Sequence, residues 1–444
     1  MLRLSPRRAL FLLAAVVPAA EILPAADISP LASKPRWQTL ERYQETITRD
    51  QFVNLLQNVY ATRGYDDLIQ ISDEAVRLCQ DRDANTFFTL RFAKEKPRPV
   101  PPQYWRTIES LGPAPDKKPL ARLHVALDPG HIGGSWAKME ERWFQVGDSR
   151  PVEEAEIALR VAKLLAPKLR ALGAEVTFVR SRNRPTTPKR PDDFREIAQA
   201  VLAKSGVNDP IDSYEGAADE NKDKSIRWQS ELLFYRQSEI RYRARRVNEL
   251  LQPDLVLCLH FNAEGWGDPK NPTLIDRNHF HLLVNGSYLP EEIKHDDERY
   301  EMIRRLLSRT YVEELPLADR MAATFARETG LPPYEYTNDT VVKIGASGYV
   351  YARNLLATRV FRCPVVYFEP YVMNSNEAFA RIQAGDYEGT REINGVQRPS
   401  IFREYAGAVA NGLAEYCRNL RMEAAPSHPW LSVAAVYDRR VFEI

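Results

Sequence analysis

Leu123-His-Val-Ala-Leu-Asp128-Pro-Gly-His131-Ile-Gly-Gly134 decides the fold class. His124–Leu127 is too short for a helix and stops at an Asp-Pro-Gly turn, so it reads as a buried strand. Val176-Thr-Phe-Val179, Leu255-Val-Leu-Cys-Leu259 and Val365-Val-Tyr-Phe368 follow the same pattern. Helical spacing fits Glu154–Leu172, Ile240–Leu251, Leu317–Thr329 and Phe402–Cys417. Strand and helix in alternation predict an α/β domain with a mostly parallel central sheet flanked by helices.

The chain has 444 residues, 44% of them hydrophobic, enough for a sizeable core and two or three domains. Lys and Arg number 61 against 60 Asp and Glu, a balance that argues against a protein dedicated to nucleic acid. Four cysteines are too few for a disulfide-built scaffold. Residues 1–20 read as a signal peptide: basic Arg3, Arg7 and Arg8, an apolar run to Val17, then small residues. That run falls short of the roughly 20 residues that span a bilayer, and no other stretch is long enough. The expectation is an exported protein of the periplasm or cell envelope, with no transmembrane segment in the mature chain.

Residues 35–93 read as a small α+β module, with a helix over Thr48–Tyr60 and strands at Leu68–Ile71, Ala75–Cys79 and Phe87–Phe92. Proline is dense over 94–119, which reads as a stiff linker. A catalytic domain follows over 120–423, interrupted by polar inserts at 185–239 and 264–316, with a tail over 424–444. Both inserts exceed ordinary connections and read as lids, regulatory segments or surface decoration.

Polar residues cluster where the strands end. Asp128-Pro-Gly-His131 follows the first, His260-Phe-Asn-Ala263 closes the third, and Glu369-Pro-Tyr-Val-Met-Asn374 closes the fourth. Open α/β sheets place their sites beyond the carboxyl ends of their strands. Glu154 adds a fourth group. It opens a helix whose buried stripe is Ile157, Val161, Leu164, Leu165, Leu169 and Leu172, and at about 100° per residue it points along that stripe. A carboxylate placed there needs a partner. Two histidines and a carboxylate, with a second carboxylate nearby, are the parts of a catalytic zinc site. Isolated His and Glu residues are more often structural, so spacing alone leaves that reading open.

These segments resemble the zinc-dependent N-acetylmuramoyl-L-alanine amidases of the amidase-3 type, cell-wall hydrolases, from about Leu123 to Leu413. The resemblance rests on the Asp-Pro-Gly-His turn, Glu154-Ala-Glu-Ile-Ala-Leu159, Gly173-Ala-Glu-Val-Thr-Phe-Val-Arg180, Pro253–Ala263 and Pro364–Asn374. It implies a zinc amidase or carboxypeptidase-like sheet, with Zn2+ on His131, Glu154 and His260 and with Glu369 as general base and acid. It further implies cleavage of the amide between the muramoyl lactyl group and L-alanine of peptidoglycan. Two departures sit in the site loops: Ile132 stands where the family has glycine, and Tyr371 stands where it has glycine after the catalytic glutamate.

Asn262 is a candidate for orienting His260 or the substrate, or simply a polar loop residue. His279 and His281 share one face of a predicted strand, where structural histidines are commoner than ligands. Cys258 and Cys363 read as small hydrophobes. Glu291–Glu298, a helix-compatible acidic segment, is either a solvated helix or a self-inhibitory plug released by an activator protein, the one candidate partner besides peptidoglycan. The rival functions are a zinc peptidase cutting within the stem peptide and a catalytically silent wall-binding or regulatory protein.

Overall fold

The computed structural model describes residues 28–422, apart from residue 83 and residues 269–270. The signal-peptide reading and the tail over 424–444 fall outside the described residues. Seven strands form the central sheet: β1 (His124–Pro129), β2 (Glu175–Phe178), β3 (Leu255–Leu259), β4 (Phe280–Val284), β5 (Val342–Ile344), β6 (Val350–Ala352) and β7 (Val365–Pro370). Their order is β5-β6-β4-β7-β3-β1-β2. Four of the six pairings are parallel, and β4–β7 and β5–β6 are antiparallel.

Side chains alternate across a strand, so residue parity sorts the sheet into two faces. Val125, Leu127, Leu255, Leu257, Leu259, Val366 and Phe368 pack into the larger core under helices α1 (Glu154–Ala171), α3 (Thr310–Thr329) and α4 (Ile401–Met422). Ala126, Val256, Cys258 and Val365 face the other way, against Ala244 and Val247 of the helical stretch 226–251. Both faces are buried, which is why these strands are continuous apolar runs. Continuing that parity past the apolar residues puts Asp128, His260 and Glu369 on the second face. All four cysteines are buried free thiols, with Cys258 and Cys363 in the second core.

Two segments differ from their reading in sequence. The 264–316 stretch contributes β4 to the middle of the sheet, next to β7, and ends in the first turns of α3. The sequence reading began that helix at Leu317, yet α3 starts at Thr310 and runs through Pro316. Buried Glu314 anchors the early turns by accepting from Arg305 and from the Val365 N–H at 2.8 Å. The acidic segment is not a plug in the site. It lies in and just before α2 (Asp296–Ser308), where Glu298 pairs with Arg359 and Asp297 accepts from the Ser29 N–H.

The amino-terminal helix and three-stranded antiparallel sheet share one continuous core with the larger unit. The carbonyls of Val59 and Tyr60 accept from Ser287 and Tyr288 at 2.7 and 2.6 Å, and buried Arg299 donates to the Cys79 carbonyl at 2.9 Å. Nor does the proline-rich stretch stand off as a spacer. Trp105, Ile108 and Leu111 are buried, and Arg106 grips Asp254 through Nε and Nη2 at 3.0 and 2.7 Å. Among the described residues no helix is long and apolar enough to cross a membrane.

Candidate metal centre

His131, Glu154 and His260 converge. His131 Nε2 lies 2.9 Å from Glu154 Oε2, and His260 Nδ1 lies 2.9 Å from Glu154 Oε1. One ligand atom from each residue falls within 4.8 Å of the others. Two imidazoles and a carboxylate are a donor set that suits Zn2+ with one position left open. His131 and Glu154 line a cleft of about 1150 Å³, and His131 and His260 line a smaller cavity of about 150 Å³ that shares His131, Arg142, Arg236 and Tyr367 with it.

Each group is held by its local chain. The His131 backbone is left-handed, with φ at 57°, at the apex of the turn after β1. Gly130 leaves room for the site: a Cβ there would meet the His260 ring at 2.1 Å. Arg180 donates to the carbonyls of Pro129, Gly130 and Ala155, tying the turn to the start of α1. Arg243, ion-paired with Asp128 and Glu239, donates to the carbonyls of Pro129 and His131. On the far side of the His131 ring, Nδ1 lies 3.6 Å from the buried Glu140 carboxylate. Glu140 also accepts the N–H groups of Ile132 and Gly133, which fixes both carboxylate and ring. A carboxylate behind a ligating histidine orients the ring and raises its basicity. The His260 ring stacks on Tyr367 at 4.3 Å.

The electrostatics follow from this crowding. Burial alone would lower His131, but Glu154 and Glu140 raise it to about 9. Burial drives His260 down to about 4, against the pull of Glu154. Burial would raise Glu154, yet the two histidines hold it well below the usual carboxylate range. Flanked by Glu154 and Glu140, His131 is therefore the ring of the cluster that favours a proton, and His260 the one that disfavours it.

Glu369, at the carboxyl end of β7, lines the same cleft. Burial and the nearby Glu154 charge hold its carboxyl above the usual range, moderated by His131, Arg142 and Arg353. Asn262 also lines the cleft, but its side-chain oxygen accepts from the Ala263 N–H at 2.8 Å, so it braces its own loop. His279 and His281 stand apart from the cluster: their Nε2 atoms meet Glu264 and Tyr336, each at 2.9 Å.

The two family departures have visible consequences. Ile132 is fully buried among Phe194, Ala198 and Phe234, so it anchors the 185–239 insert, which walls one side of the cleft. Tyr371 takes a left-handed φ of 54°, the region glycine favours, and its hydroxyl donates to Glu404 at 2.7 Å. Glu140, Arg142, Arg180 and Arg243 were not singled out in the sequence. Only Arg180 carried a signal, at the end of the second strand.

No family model matches the chain, and no curated protein matches it in sequence. Solved structures do overlay on it. The N-acetylmuramyl-L-alanine amidase Ami1 from Mycobacterium smegmatis is 16% identical, covering 68% of this chain and 99% of its own, with a TM-score of 0.35. The Mycobacterium abscessus Ami1 is 16% identical over 67% of this chain and 99% of its own, TM-score 0.36. The amidase AmiC2 of Nostoc punctiforme is 14% identical over 67% and 97%, TM-score 0.32.

Proposed function

We propose that this chain is an exported zinc-dependent N-acetylmuramoyl-L-alanine amidase that hydrolyses the amide between the muramoyl lactyl group and L-alanine of peptidoglycan. The observation that carries the reading is one carboxylate, Glu154, shared by two histidines, with a second carboxylate, Glu369, on the adjoining strand end. The donor set fits Zn2+, held by His131, Glu154 and His260; when bound it would polarise the scissile carbonyl and acidify water.

The remaining chemistry belongs to the chain. Glu369 takes a proton as water adds to the carbonyl carbon and returns it to the amine as the C–N bond breaks. A carboxyl held above its usual range suits a group that must both accept and release a proton near neutral pH. Glu140 fixes the His131 ring, and Tyr367 backs the His260 ring, so neither ligand must reorganise. A wall-binding protein without turnover has no use for Glu369, which counts against the silent reading.

Mass spectrometry of peptidoglycan incubated with the protein, with zinc and with a chelator, tests this. Zinc-dependent release of whole stem peptides with a free L-alanine amino terminus is the expected result. Shortened stem fragments would move the cut into the peptide, and no products would remove the enzymatic reading.

A further inference from the structure

The charges lining the cleft do not balance, and the excess has one sign. Lys222 pairs with Glu141 at 2.7 Å, Arg227 with Glu231 at 3.2 Å and Arg142 with Glu154 at 3.3 Å. Glu264 is taken by Arg277 and His279. Among the described residues, Lys138, Arg236 and Arg353 line the same cleft with no ion-pair partner, against Glu369 as the one lining acid likewise unpaired. Counted in full, six Lys and Arg line the cleft against five Glu, so the excess lies in the unpaired cations rather than in the formal sum. A divalent cation on the histidines would enlarge it.

Arg353 is the best prepared of the three. It is half-buried and lines the cleft, and its positive charge acts on both the Tyr336 hydroxyl and the Glu369 carboxyl. That hydroxyl meets Nε2 of buried His281 at 2.9 Å. His281 sits directly opposite Glu369 across the β4–β7 pairing, so Tyr336 is held beside the candidate base, and Arg353 follows the end of the neighbouring strand β6. A pre-oriented guanidinium presents a planar fork that matches a carboxylate. Arg236 and Lys138 are exposed, braced by Tyr235 and by the Trp143 ring, and add charge at the mouth.

We infer that this wall is a carboxylate-binding subsite: Arg353, with Arg236 and Lys138, holds free carboxylates of the peptide on the leaving side of the scissile amide. The enzyme therefore selects acidic stem peptides over amidated ones. The inference takes the identity of the peptide from the amidase reading, and its test does not depend on turnover.

Calorimetric titration of the full, metal-free chain compares a muramoyl-L-alanyl peptide bearing free carboxylates with its carboxamide counterpart. The carboxylate form should bind at least about 10-fold more tightly, a typical loss for one charged hydrogen-bonded contact. Arg353→Gln should shrink that ratio to about 2 or less, Arg353→Lys should restore part of it, and Arg236→Gln with Lys138→Gln should narrow it further. Equal binding of the two peptides by the unmodified protein, or an unchanged ratio in both the Arg353→Gln and the Arg236/Lys138 variants, would overturn the subsite. Inorganic phosphate binding more tightly than the acidic peptide would do so as well, pointing to a phosphate-bearing ligand. Zinc-dependent turnover of the same peptides reports separately on the amidase reading.

Discussion

His131 and His260 reach the same carboxylate, Glu154, at 2.9 Å each, whereas His279 and His281 engage Glu264 and Tyr336 separately at that same distance. Both pairs lie beside Glu369, and both are buried or nearly so. The first pair comes from two different strand ends with a helix start between them. The second pair lies two residues apart, His279 just before β4 and His281 within it; both rings pack on Tyr334, at 4.6 and 5.2 Å, while their Nε2 atoms take different partners. Convergence on a shared acceptor, and not the number of histidines, separates a metal centre from an aromatic and polar cluster.

The largest expected effect that sharpens this contrast is His260→Ala, which removes a ligand and should abolish stoichiometric zinc binding. His281→Ala should leave the zinc content at one per chain. Elemental analysis of the two purified variants checks both, and equal zinc in both would erase the contrast. Next comes Glu140→Gln, which loosens the ring behind the ligand and should weaken zinc affinity by about 10- to 100-fold. Competition with a chelator of known affinity measures it; an unchanged constant would make Glu140 a purely structural acid.

The raised proton affinity of His131, set by Glu154 and Glu140, gives a pH dependence of definite sign. His131, raised to about 9, must lose its proton before it can ligate. Zinc uptake therefore releases one proton near neutral pH, and affinity should climb about tenfold per pH unit until about pH 9, then flatten. Chelator competition from pH 6 to 10 reads the slope, and a flat profile would contradict the raised proton affinity of His131. The smallest effect concerns the wall, not the metal. Ile132→Ala empties a buried site shared with the 185–239 insert and should cost about 2–5 kcal/mol of stability by denaturant titration.

His131, His260 and Glu369 could be located in the sequence because each follows an apolar run that can only be a buried strand. Glu154 could be located because it breaks an otherwise apolar helical stripe. What surrounds them could not be located. Glu140, Arg180 and Arg243 act through loop carbonyls and N–H groups that only the folded chain brings near, and no periodicity marks such contacts. β4 was read as a strand around His279 and His281 yet counted within an insert, because nothing in its sequence marks that it runs parallel to β6 and antiparallel to β7 within the central sheet. The module over 35–93 and the prolines after it gave no sign of the shared core, since docking depends on Val59, Tyr60 and Cys79 carbonyls rather than on composition.

In the proposed division of labour, His131, Glu154 and His260 would hold the metal and Glu369 would move the proton. Glu369→Gln tests it most directly, with zinc content and turnover of peptidoglycan measured on the same preparation. One zinc per chain together with turnover lowered about 100- to 10,000-fold is the predicted result. Turnover retained with zinc in place, or zinc lost along with activity, would contradict it.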